Sequence, residues 1–203
     1  MNIAIVSSMP GNVMNLYRAL KRVDQDLKVE LLEGPAQKPY DVIFLPGVGH
    51  FEEAMRRLRE NKMEKFLLNQ VEKSFIVGIC LGMQILFEES EESISAGPVR
   101  GLGFLRGSVT KLKADVLPHV GWNQVRFLDD RFKDLDGKHF YFVHSYRVVC
   151  DESLIVATCE YEEEFPAMVL KNGVMGIQFH PEKSHLAGKI LLKRVLECAS
   201  SRR

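Results

Sequence analysis

The chain has 203 residues, 46% hydrophobic and 27% charged, which suits one globular domain with a substantial core. Its 27 Lys and Arg balance 27 Asp and Glu, so no net field draws it to nucleic acid or an anionic membrane, and neither is expected as a partner. No apolar run reaches a membrane span, and the opening MNIAIVSS lacks the basic start of a signal peptide, so a cytoplasmic location is expected.

In chain order, Asn2 to Ser7 is an apolar run with buried-strand character. After Met9-Pro10-Gly11-Asn12, the residues Val13, Leu16, Tyr17 and Leu20 recur at helical spacing, with Lys21 and Arg22 suited to a helix C-terminus. Leu27 to Leu32 and Tyr40 to Leu45 are further strands, the latter ending in Pro46-Gly47-Val48-Gly49. His50 to Asn61 and Met63 to Lys73 are helical, Phe75 to Ile79 is a fourth strand, and Leu81 to Glu88 opens another helix. The acidic cluster Glu88, Glu89, Glu91 and Glu92 is expected past that helix, mostly in solvent. Alternating strands and helices predict an α/β fold with a parallel sheet, helices on both faces and ligands at the carboxyl ends of the strands. The turns at Pro10, Pro46 and Cys80 fall on that edge.

The second half differs. Gly101–Lys113, Val125–Leu128, Lys138–Cys150, Leu154–Tyr161 and Ala167–Phe179 are rich in valine and aromatics, with hairpin signals at Asp136-Gly137 and Asn172-Gly173. They predict antiparallel β structure added to the α/β core. A helix from about Leu186 to Ala199 follows.

Of the four cysteines, Cys80, Cys150, Cys159 and Cys198, none forms a CxxC pair, so reduced thiols are expected. The six histidines lack ligand spacing, and no metal is expected. Cys80 sits in Gly-Ile-Cys-Leu-Gly, between a strand and a helix. That arrangement is either a small core residue at a tight turn or a nucleophile elbow. An elbow strains the central backbone, needs small residues two positions away, and sets the thiol at a helix N-terminus, where thiolate is favoured. The N–H of Leu81 is then placed to meet an oxyanion. A thiol needs a base and the base an orienter; Gln178-Phe179-His180-Pro181-Glu182 offers both if His180 and Glu182 share one side of an extended segment. His119 and His144 have no carboxylate neighbour in sequence and are structural or substrate-side. His50, His139 and His185 are expected at the surface. The glycines of Pro46–Gly49 either serve a tight turn or let a peptide rotate to supply a second oxyanion donor.

GICLGMQ, the distant HPE and the order Cys, His, Glu resemble the class I, triad-type glutamine amidotransferases. PGNVMNLYRAL, LPGVGHF, GICLGMQILFEESEE, PHVGWN, YFVHSYR and GIQFHPEKS narrow this: the chain resembles glutaminase subunits of imidazole glycerol phosphate synthase over nearly its whole length. One departure is Ser7-Ser8-Met9-Pro10, where many relatives carry an Asp-Tyr-Gly-like stretch. The resemblance implies one amidotransferase domain over residues 1–203, with a flavodoxin-like central sheet flanked by helices and no cofactor. It implies Cys80 as nucleophile on glutamine, His180 as base and acid, Glu182 as orienter, and an oxyanion hole from Leu81 and, after a peptide flip, Val48. Gly49 and Gln84 match positions that hold glutamine, Ser145 and Tyr146 the segment that grips its α-carboxylate, and Glu92 is matched to its amino group. The implied partner is a (β/α)8-barrel cyclase that receives the ammonia and forms a heterodimer with the glutaminase. Asn12, Trp122, Asn123, Tyr141 and Lys183 match positions at that interface. Also implied is allostery, with little glutaminase activity until the cyclase holds its ligand. The competing expectations are the glutaminase of another synthase, such as pyridoxal phosphate synthase, a free-standing cysteine hydrolase, and a non-catalytic module with a fossil triad.

Overall fold

In the computed structural model, which describes residues 1–94 and 97–201, the first half alternates as expected. Its elements are β1 (Asn2–Val6), α1 (Val13–Val23), β2 (Lys28–Leu32), β3 (Val42–Gly47), α2 (Phe51–Glu60), α3 (Met63–Gln70), β4 (Phe75–Cys80) and α4 (Leu81–Gln84). Then come β5 (Glu89–Ser90), β6 (Val99–Arg100), β7 (Ser108–Lys111), β8 (His119–Phe127), β9 (His139–His144) and β10 (Tyr146–Val149). The rest is β11 (Ile155–Tyr161), β12 (Glu163–Lys171), β13 (Val174–Ile177) and α5 (His185–Ser201).

Among the described residues, the main sheet has nine strands in the order β2-β1-β3-β4-β13-β12-β11-β8-β9, and a second sheet runs β10-β7-β5-β6. β1, β2, β3, β4 and β13 are parallel; the strands from β12 to β9 are antiparallel. Strands β3 and β4 are buried along their full length, which is why they are continuous apolar runs without alternation. On one face Leu16 and Leu20 of α1 pack with Leu191, Leu192 and Val195 of α5. On the other, Phe51, Met55 and Leu58 of α2 and Phe66 of α3 pack with Val109 and Val148 of the small sheet. No described helix is long and apolar enough to cross a membrane.

Several expectations are corrected. The helix expected over Leu81–Glu88 ends at Gln84, and the strand expected over Gly101–Lys113 shrinks to Ser108–Lys111. One cause explains both. The carbonyls of Ile85, Leu86, Phe87 and Glu88 accept from the N–H groups of Leu102, Leu105, Gly103 and Gly101, so neither segment completes its own ladder. Lys138–Cys150 breaks at Ser145, with β9 and β10 entering different sheets. β13 is antiparallel to β12, as expected, but its other edge pairs parallel with β4 inside the core, as its fully buried apolar sequence suits. Asn172-Gly173 does form the turn from β12 to β13, with φ of 49° and 78°. Asp136-Gly137 is no two-residue hairpin; β8 reaches β9 through a 3-10 turn over Asp130–Leu135, and Asp136 accepts from the Phe127 N–H at 2.9 Å. Three acidic residues are not simply solvated: Glu88 accepts from the N–H of Gly107 (2.9 Å), Glu91 from that of Lys111, and Glu92 from that of Phe51 (2.8 Å).

At the carboxyl edge of the parallel strands, Gly78 and Gly82 bring β4, α4 and β3 into direct backbone contact. A methyl group on Gly82 would overlap the Leu45 carbonyl, and one on Gly78 the Gly82 carbonyl. Gly82→Ala is therefore expected to lower unfolding free energy by more than about 3 kcal/mol, read by chemical denaturation. A loss within about 0.5 kcal/mol, the range of a neutral surface change, would contradict this packing.

Candidate active site

Cys80 closes β4 with φ 55° and ψ −114°, a strained conformation for a residue with a side chain. The two glycines make the turn possible, and the next residue, Leu81, begins a first helical turn whose N–H groups have no intrahelical partner. The helix is a single turn, shorter than expected. Cys80 is 5% exposed and lines a cavity of about 470 Å³, within the usual range for small-molecule sites.

The second part of the site comes from the chain after β13. The parallel register Ile177↔Ile79 carries this segment out beside the elbow. There the His180 N–H donates to the Tyr141 carbonyl (2.8 Å), while Ser184 Oγ donates to the His180 carbonyl (2.6 Å) and accepts from the Tyr141 N–H (3.1 Å). His180 Nδ1 lies 2.8 Å from Glu182 Oε1, with both side chains almost wholly buried. The pair meets through a 3-10 turn at Pro181–Lys183, not through the extended segment expected. Burial opposes charge on the imidazole, but the neighbouring Cys80 sulfur and the Glu182 carboxylate outweigh it and raise the ring to about 10. Among the described residues, Nε2 itself has no hydrogen-bond partner.

The sulfur has two further neighbours. Sγ lies 3.6 Å from the Val143 carbonyl, to which the thiol donates, and 3.8 Å from Gln178 Nε2. Gln84 Nε2 in turn donates to the Tyr146 carbonyl (2.9 Å) and to Gln178 Oε1 (3.1 Å).

The remaining predicted binding residues converge on the same cavity. Val48, Gly49, Leu81, Gln84, Glu92, Ser145 and Tyr146 all line it. The Glu92 carboxyl is pushed up by burial, against the pull of the Phe51 N–H. The Val48 N–H is engaged, donating to the Pro10 carbonyl at 2.8 Å, while Gly49 holds a φ of 106°.

The residues matched to an interface divide. Asn12 and Lys183 reach the cavity itself. Trp122 and Tyr141 face each other across β8 and β9 with rings 5.9 Å apart; Lys183 Nζ lies over Tyr141 at 5.1 Å, and His185 stacks on Trp122 at 5.2 Å. Asn123 points to the opposite face of β8, where its Oδ1 meets His119 Nε2 at 3.0 Å. It does not join the Trp122 cluster. His119 and His144 are buried and bonded to each other (3.1 Å), and His144 Nδ1 donates to the Tyr146 carbonyl (2.9 Å). Burial drives His144 down to about 3, so it stays neutral. His50 is half-buried; His139 and His185 are exposed.

Gln178, Ser184 and Val143 were not singled out from the sequence. Gln178 was within reach of the strand periodicity, which places it on the same side as His180. The other two act through a hydroxyl and a carbonyl, which leave no residue-type signature.

The raised His180 value has a definite linkage. Because the folded value exceeds the ordinary 6.5, the stability carried by the charged ring is complete below pH 6.5 and is lost as pH rises through about 10. In Glu182→Gln, the ring's NMR titration midpoint is expected to fall, and stability to decline less across that window. An unmoved midpoint would show that the carboxylate does not hold the proton.

The glutamine amidotransferase class-I family model matches residues 5–197. The chain is 50% identical to the imidazole glycerol phosphate synthase subunit HisH of Thermotoga maritima, covering 100% of both chains. It is 41% identical to that of Methanopyrus kandleri, covering 98% of this chain and 100% of the relative. Among solved structures, a glutamine amidotransferase superposes with a TM-score of 0.77 at 19% identity, covering 98% of this chain and 100% of the other, a likeness of fold. The chain belongs to the class-I glutamine amidotransferase family, within its group of HisH subunits.

Proposed function

We propose that this chain, working as one amidotransferase domain, hydrolyses glutamine to glutamate and ammonia as the glutaminase subunit of an imidazole glycerol phosphate synthase. The observation that carries this reading is a cysteine on a strained elbow at the wall of the cavity, with the buried His180–Glu182 pair beside it.

Glutamine enters the cavity with its amino acid head toward Gly49, Gln84, Glu92 and the Ser145–Tyr146 segment. The proton that charges the His180 ring is the one given up by Cys80 to Nε2, which is otherwise unpartnered among the described residues, and the resulting thiolate attacks the side-chain amide carbon. Glu182 keeps the proton on Nδ1 and supports the imidazolium. The tetrahedral oxyanion meets the Leu81 N–H. His180 returns its proton to the leaving nitrogen, so ammonia departs and a glutamyl thioester remains. Water, deprotonated by His180, then attacks the thioester; glutamate leaves and the thiol is restored.

The second oxyanion donor is withheld at rest, because the Val48 N–H is bound to Pro10. Releasing it needs rotation of the Gly47–Val48 peptide, which Gly47 and Gly49 permit. Without it, transition-state stabilisation falls short by about 3 kcal/mol. A partner that tips this peptide would switch the enzyme on.

That partner is a (β/α)8-barrel cyclase, forming a heterodimer in the cytoplasm and taking ammonia directly. Trp122 is 44% exposed, and Val120 (55%) and Leu186 (69%) flank it. With Tyr141 and Lys183 they make an apolar surface whose edge reaches the cavity, suited to a docked subunit.

Cys80→Ala is expected to abolish glutamine-dependent synthesis in the assembled complex and leave ammonia-dependent synthesis intact. Loss of both would point to a folding defect, and retention of both would exclude the thiol mechanism. Trp122→Ala should weaken association with the cyclase at least tenfold, as for a central aromatic anchor, in a calorimetric titration. An unchanged affinity would place the interface elsewhere.

A further inference from the structure

Gln178 is wholly buried, and the steps above do not use it. Its amide is set by a relay with only one direction. The Tyr146 carbonyl can only accept, so Gln84 must present its nitrogen there, at 2.9 Å. The same nitrogen lies 3.1 Å from Gln178, which must therefore turn its oxygen to Gln84 and its own nitrogen to the Cys80 sulfur, at 3.8 Å. Reversing the Gln178 amide would set N–H against N–H at one end and oxygen against sulfur at the other. A backbone carbonyl thus fixes, through two side chains, that the sulfur receives a donor.

The sulfur's other polar neighbour acts in the opposite sense. The Val143 carbonyl, at 3.6 Å, accepts from the thiol and would repel a thiolate. The Gln178 N–H stabilises the thiolate and has little to offer the thiol. We infer that Gln178 is a positioning residue for the nucleophile: opposite the Val143 carbonyl, which engages the thiol, it supplies the donor that holds Sγ once it is the thiolate. It also ties the sulfur to Gln84 and Tyr146, so binding of substrate on that segment and readiness of the nucleophile are mechanically linked. Its part in turnover rests on the glutaminase reading; its effect on the thiol does not.

The test uses Gln178→Met and Gln178→Leu, which fill the buried site differently and both lack the donor; thermal melts select folded protein. Alkylation of Cys80 by iodoacetamide is followed against pH, without glutamine, by mass spectrometry of the Cys80 peptide. In a folded variant the half-maximal pH should move up, and the rate at neutral pH fall about tenfold, as for loss of one hydrogen bond to a charged group. The glutaminase kcat should fall by a similar factor and recover partly at higher pH, which a merely structural role would not produce. Alkylation profiles that coincide with the unsubstituted chain's would overturn the inference. Shifted profiles in a protein whose unsubstituted form releases no glutamate even when assembled with the ligand-bound cyclase would support the thiol assignment and overturn the glutaminase reading instead.

Discussion

The parallel pairing of β13 with β4 is the constraint on which the site depends. Two strands almost a hundred residues apart in the sequence lie side by side with Ile177 opposite Ile79. One step later the first strand turns into Cys80, while the other runs on through Gln178 to His180. Side chains from distant segments are therefore delivered to one place by backbone hydrogen bonds, before any of them touches another. The antiparallel strands serve the same end. β12, β11, β8 and β9 carry the sheet round until the Tyr141 carbonyl meets the His180 N–H and the Val143 carbonyl meets the Cys80 sulfur. The second half of the chain is thus a wall of the site and not a mere appendage.

Two hydrogen bonds and one unpaired nitrogen describe the resting site. The Val48 N–H is held by Pro10, the thiol donates to Val143, and His180 Nε2 has no partner among the described residues. Each hydrogen bond is worth about 1 kcal/mol net, so none is hard to break, and each is made by a backbone carbonyl outside the triad. On the proposed reading, a partner on the face formed by β8 and β9 presses on the strand that bears Val143, and one near Asn12 on the turn that bears Pro10. Control of the enzyme would then lie in backbone positions, while the triad side chains stay where they are.

The parallel half was legible because a strand buried on both faces needs an unbroken apolar run, and YDVIFL and FIVGIC are such runs. The elbow was legible because its two glycines are demanded by backbone overlap at Leu45 and Gly82. What stayed hidden depended on distant carbonyls. Nothing in LGMQILFE announces that residues 101–105 cap its carbonyls and end the helix after one turn. β13 was grouped with its antiparallel neighbours because the Asn172-Gly173 turn joins it to β12, and the sequence does not say what lies on its other side. The carboxylates of Glu88, Glu91 and Glu92 looked solvated because their partners are backbone N–H groups, which carry no residue identity. Asn123 shared a motif with Trp122, yet strand alternation sends adjacent side chains to opposite faces.

The central claim of the proposed function is that Cys80 Sγ is the atom that attacks glutamine. A diazoketone analogue of glutamine, which alkylates a thiolate held at the substrate's amide position, tests it directly when the activated complex is digested and mapped by mass spectrometry. A single adduct on Cys80, absent from Cys150, Cys159 and Cys198 and blocked by excess glutamine, is expected. Labelling that ignores glutamine, or that falls on another cysteine with Cys80 untouched, would contradict the site described.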